Sequence, residues 1–182
     1  MKWITWLLWC WTVMTLSHEV GHVIGGWASG AAITDLELRP WHLPHSLFQP
    51  DPHPIVTLWS GPILGCVVPC IAAAISRRDA WWLVAWFCVL ANATYMLVGW
   101  FSGDAELDTT KMIQAGTPPW LLLAIWTTVL PVGYVKFRER LVQRFAADRS
   151  EAFAKEHLKS AAAWAAVFLV QSIVGELLAA LF

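Results

Sequence analysis

The sequence predicts an all-α integral membrane protein: a bundle of about five transmembrane helices with a small hairpin-like loop between the first two. Three observations carry that expectation. Hydrophobic residues make up 58% of the 182, charged residues make up only 14%, and the apolar residues gather in long runs. An ordinary soluble domain carries about 25% charged residues. The runs lie at about 3–28, 55–75, 80–101, 118–135 and 160–182. Each is near or above the roughly 17–25 residues that a helix needs to cross the hydrocarbon core, the fourth being the shortest. Backbone amides in lipid must be satisfied within the segment, and no alternating barrel pattern is present, so the runs predict helices. Residues 1–182 read as a single membrane-embedded domain. Its core is 1–135, followed by a basic amphipathic segment at 136–159 and a C-terminal transmembrane helix at 160–182.

The first run opens with Lys2 and carries Trp3, Trp6, Trp9 and Trp11, four of the fourteen tryptophans. With Trp81 and Trp82 at the start of the third run, these indoles suit interfacial anchoring and packing. The run imitates a secretory signal, with small residues near Ala28, Ser29 and Gly30. Its length and tryptophans are atypical of one, and cleavage would discard its polar residues, so it is read as retained. Residues 31–54 form a polar loop in which Thr34, Leu36 and Leu38 alternate with acidic residues before proline-rich punctuation, which predicts a hairpin at the membrane edge. The second run opens with Ser60-Gly61-Pro62 and is followed by Arg77 and Arg78. The third runs into the acidic, turn-like stretch 102–117. Residues 136–159 are rich in Lys and Arg, with Phe137, Leu141 and Phe145 at helical spacing, as in a helix on the membrane surface.

Cys10, Cys66, Cys70 and Cys88 all fall within apolar runs, which suits small buried hydrophobes and not a disulfide framework. The net charge of −1 gives no case for nucleic-acid binding. With five spans, Lys2, Arg77, Arg78 and the 136–159 segment share one side of the membrane. The positive-inside rule makes that side cytoplasmic.

The polar residues of the first run carry the chemistry. His18-Glu19-Val20-Gly21-His22 fits H-E-x-x-H. Histidines at i and i+4 share a helix face and can offer ring nitrogens to one metal ion, while the glutamate sits beside the ion, placed to take a proton from water. Each ionisable group inside a spanning helix costs on the order of 2.5 kcal/mol or more, so three within five residues require a metal or a polar cavity. At roughly 1.5 Å per residue the histidines lie about 25 Å from the start of the run, just below the side opposite the basic segments. A third ligand should come from that side. Asp104 is preferred because it emerges nearest the end of the third helix. The alternatives are Asp108 above all, then Glu106, Asp35, His42, His45 and His53. Asn92 in mid-helix suits either an interhelical hydrogen bond or a contact with a substrate carbonyl. Pairs such as Gly21 and Gly25, Gly26 and Gly30, and Gly61 and Gly65 permit close helix packing.

Together, the His18–His22 motif on a membrane helix, the hairpin-like loop, Ser60-Gly61-Pro62, and Asn92 followed by Gly103-Asp104 resemble the site-2 protease family of intramembrane zinc metalloproteases. The resemblance covers about residues 10–115. It implies one zinc ion per chain, held by the counterparts of His18, His22 and Asp104, with Asn92 matching an upstream asparagine on the same helix. It also implies hydrolysis of peptide bonds in or near transmembrane segments, with Glu19 as general base and Asn92 helping to position the substrate. Familiar members turn this end of the helices towards the cytosol, whereas the positive-inside rule turns it outward. No loop is long enough to form a separate filtering domain, so substrate choice would fall to the helices, the 31–54 loop or a separate regulatory or substrate-presenting membrane protein. The rival expectation is a non-proteolytic multi-pass protein, a metal-binding scaffold or an ion- or proton-handling component.

Overall fold

The computed structural model describes residues 2–147 and 151–181. The first run forms one continuous helix, α1 (Lys2–Ala28). Thr5, Thr12, Thr15, His18, Glu19 and His22 are buried on it, while Ile4, Leu7, Trp11, Val20, Ile24 and Trp27 face outward. Lipid cannot satisfy polar groups, so the polar face turns to the protein and the apolar face to the surroundings. Trp6 and Trp9 are also buried, so they pack in the interior instead of forming an outward belt.

A hairpin follows, with β1 (Ile33–Glu37) and β2 (His45–Phe48) antiparallel and Leu36 opposite Ser46. Then come α2 (Pro54–Ser76), α3 (Asp79–Ser102), the short α4 (Asp108–Gln114), α5 (Pro119–Ala147) and α6 (Glu151–Ala179). Among the described residues, four helical stretches are long and apolar enough to cross a membrane: Pro54–Ser76, Asp79–Ser102, Pro119–Arg144 and His157–Ala179. The sequence reading expects five. The first helix has the length, but its inward polar residues lower its apolar content. The chain is a multi-pass helical membrane protein. The expected surface helix at 136–159 is not a separate element: residues 136–147 continue α5 and residues 151–159 begin α6. Residues 148–150 of that segment lie outside the described residues.

Glycines set the spacing of α1 and α2. A Cβ on Gly21 would stand 2.6 Å from the Ser60 carbonyl oxygen, and one on Gly25 would stand 1.9 Å from Ser60 Oγ. Two apolar clusters flank this contact. Trp6, Trp9 and Cys10 pack with Leu83, Val84 and Cys88, joining α1 to α3. Ala93 and Met96 pack with Met112, Leu122 and Trp126, joining α3 to α4 and α5. α6 is tied to α1 by polar bonds: Trp9 Nε1 donates to Ser160 Oγ at 3.1 Å, and Trp164 Nε1 donates to Thr12 Oγ1 at 3.1 Å.

The hairpin is tied to α6 as well. Gln171 Nε2 donates to the Leu38 carbonyl at 2.8 Å, and Arg39 Nη1 lies 3.6 Å from Glu176 Oε2. Arg39 also pairs with the buried Glu37 carboxylate, and that guanidinium, hydrogen-bonded to the acid, holds its pKa down at about 2 against the opposing effect of burial. Glu176 thus serves as an outer partner of the hairpin.

The backbone-to-backbone contact at Gly21 gives a direct test. Gly21→Ala should destabilise the detergent-solubilised protein by about 1–3 kcal/mol, the usual cost of over-packing, read as a lowered thermal unfolding midpoint.

Candidate metal centre

His18 and His22 stand one turn apart on α1, and each ring is fixed through its Nδ1. His18 Nδ1 lies 2.7 Å from Asn92 Oδ1, and His22 Nδ1 lies 2.8 Å from the Thr57 carbonyl oxygen. A carbonyl oxygen can only accept, so His22 carries its hydrogen on Nδ1. Asn92 Nδ2 donates to the Cys88 carbonyl at 2.9 Å, which orients the Asn92 oxygen towards His18 and assigns that ring the same tautomer. Both Nε2 lone pairs are therefore free, and they face each other at 3.1 Å. The edge of the Tyr95 ring packs against His18, with centroids 5.5 Å apart.

Small residues of α2 make this arrangement possible. A Cβ on Gly61 would lie 2.2 Å from His22 Nε2, and a Cβ on Gly65 would lie 2.9 Å from Asn92 Nδ2. The glycine of Ser60-Gly61-Pro62 is thus the floor under a metal-ligand candidate, beyond its role in helix packing.

The third member of the cluster is Asp108. Its Oδ2 lies 2.9 Å from His18 Nε2 and 3.2 Å from His22 Nε2. Among the described residues, His18, His22 and Asp108 form the one His/Cys/Asp/Glu group with ligand atoms all within 4.8 Å of one another.

The structure does not bring Asp104, the preferred candidate, to the histidines. α3 ends at Ser102, and Gly103 adopts φ +65° as its left-handed cap. The chain then turns. Asp104 is exposed at the top of that turn, where its Oδ1 accepts from the Glu106 backbone N–H at 3.0 Å. The descending α4 carries Asp108 back alongside α3. Thr109, fully buried, donates to the Met96 carbonyl at 2.8 Å, and a Cβ on Gly99 would stand 2.8 Å from its hydroxyl. That dock sets the depth of Asp108. The acids and histidines of the loops are engaged elsewhere: Asp35 with His45 at 3.1 Å, His42 with Glu37 at 3.2 Å, and Glu106 with Lys111 at 3.6 Å. His53 is exposed at the N-cap of α2.

Asn92 is fully buried, and its side-chain oxygen makes an interhelical hydrogen bond to His18. Glu19 is buried but lies outside the three-ligand group. Its Oε2 accepts from Ser46 Oγ of β2 at 2.9 Å. Thr57, Ser46, Tyr95 and Thr109 also shape the site, yet none of them stands in a motif that sequence reasoning could single out.

The donor set fits zinc. Two imidazole lone pairs and a carboxylate oxygen face one another at 2.9–3.2 Å, an arrangement that repels unless a cation or shared proton lies between them. Ligands placed tetrahedrally at about 2.0–2.1 Å from a zinc ion stand about 3.3 Å apart, close to the spacing found. Metal content tests the assignment. Zinc per chain should be lost in Asp108→Ala and kept in Asp104→Ala, while Asn92→Ala should weaken binding by about 10–100-fold, measured by chelator competition.

The chain matches the Peptidase M50B-like family over residues 3–103, a stretch that contains His18, Glu19, His22, Gly61 and Asn92 and ends before Asp108. No curated protein and no solved structure matches it. The matched stretch is just over half of the chain, and the chain belongs to the Peptidase M50B-like family, within the site-2 protease group.

Proposed function

We propose that this protein is an intramembrane zinc metalloprotease, which hydrolyses peptide bonds in or near transmembrane segments of membrane-protein substrates. The observation that carries the reading is the convergence of two Nδ1-anchored imidazoles and the Asp108 carboxylate, with the Glu19 carboxylate on the adjoining residue. His18, His22 and Asp108 would hold one ion per chain. Bound there, zinc supplies Lewis acidity, which polarises a carbonyl and acidifies water near neutral pH.

The chain's own groups do the rest. Glu19 takes a proton from the attacking water and delivers it to the nitrogen of the departing amine, so that one water and one peptide bond become a carboxylic acid and an amine, which ionise to carboxylate and ammonium. Asn92 and the Thr57 carbonyl keep the histidines in the tautomer that leaves Nε2 as the ligand atom. His18, Glu19 and His22 are buried, and reduced access of water strengthens these interactions. A peptide bond within an intact helix is covered by its own side chains and hydrogen bonds. The substrate must therefore present an unwound stretch, with the lipid bilayer as the medium through which it arrives. A separate membrane protein could present or restrict it.

Glu19→Gln separates this reading from a metal-binding scaffold or a proton-handling component. The variant should keep one zinc per chain and lose cleavage of a membrane-reconstituted substrate by about 10²–10⁴-fold, the contribution expected of a general base. Unaltered zinc-dependent function in Glu19→Gln would favour the non-proteolytic reading.

A further inference from the structure

We infer that Ser46 of β2 is a positioning residue for Glu19, and that the hairpin is docked on α1 in the register that delivers it. This inference rests on the protease reading. The Ser46 hydroxyl donates to Glu19 Oε2 at 2.9 Å, with Glu19 buried and Ser46 half-buried. A hydrogen bond on one carboxylate oxygen fixes the rotation of the group and leaves the other oxygen as the proton acceptor.

Strand geometry explains how the serine reaches its place. Residues two apart on a strand share a face. In β2 the inward positions are Ser46 and Phe48, whereas His45 and Leu47 point out. On α1, Glu19 and Gly26 are seven residues apart and share one helix face. The Phe48 ring fills the notch at Gly26, where a Cβ would stand 2.6 Å from Cε1. One strand face therefore meets one helix face at two points: an apolar ring seated on a glycine sets the register, and a hydroxyl meets the carboxylate. From its other edge, β2 is held by β1, whose Leu36 pairs with Ser46, and the following Leu38 carbonyl is bound by Gln171 of α6. The hairpin is thereby braced from α6 through β1 and β2 to the glutamate.

The test uses the full-length, zinc-loaded protein in detergent, with quenched fluorescent casein as an unstructured polypeptide probe. Ser46→Ala should lower kcat about tenfold, with KM within about twofold of wild type and zinc still at one per chain, because a charge-assisted hydrogen bond to the carboxylate is lost. Ser46→Thr, which keeps the hydroxyl, should restore kcat. Gly26→Ala, which displaces Phe48, should lower kcat in the same direction with zinc retained. Wild-type cleavage that depends on Glu19 but is unchanged or raised in Ser46→Ala would overturn the role of Ser46 alone. A fall in kcat that Ser46→Thr does not restore would also overturn it. Absence of Glu19-dependent cleavage of both casein and the membrane-reconstituted substrate by zinc-loaded wild type would overturn the protease reading and this inference with it.

Discussion

Imidazole and carboxylate groups inside an apolar bundle are stable only when each polar atom meets a partner, and α1 carries three such groups within five residues. Each neighbour of that helix supplies a part of the answer. α2 offers the Thr57 carbonyl and the bare backbone of Gly61, α3 offers Asn92, α4 offers Asp108, and β2 offers Ser46. The packing of the bundle around α1 is thus dictated as much by polar satisfaction as by apolar contact. The two apolar clusters lie on either side of the site and hold the helices at the spacing that it needs.

The same constraint accounts for the small residues of α2. In lipid there is little hydrophobic drive between helices, so close backbone approach and hydrogen bonding take over. At Gly21 and Gly25 the approach is helix to helix, but at Gly61 and Gly65 the space freed is occupied by His22 and Asn92 side chains. The α1 glycines therefore serve packing against α2, and the α2 glycines make room for the side chains of the site. The periphery is held differently: α6 reaches α1 and the hairpin through indole, amide and guanidinium groups.

Much of this is legible in the sequence. The apolar runs mark the helices, the alternation in residues 31–38 marks the hairpin, and the His18–His22 spacing marks two ligand candidates and a candidate general base. The first helix shows the limit of composition: its polar residues look inward, so a reading by length overstates the number of strongly apolar spans. The third member of the cluster is hidden for a topological reason. Asp104 is nearer to the end of α3 along the chain, but the left-handed cap at Gly103 turns the chain, and only the Thr109 dock on Met96 returns Asp108 to the depth of the histidines. Ser46 is hidden because strand register and helix face must both be known before a hydroxyl and a carboxylate can be matched.

The order of the cluster along the chain bears on how it is assembled during synthesis. The two histidines emerge early, whereas Asp108 follows His22 by 86 residues. At about 5–20 residues per second, roughly 4–17 seconds of elongation separate them. Through that interval the histidines of α1 wait without their anionic counterpart, in a nascent helix whose polar face has no finished bundle to turn towards. Asn92 arrives first, then Asp108 only after α3 is complete and α4 has folded back beside it. Closure of the centre is therefore a late event, and it reports that the first three long helices have already found one another.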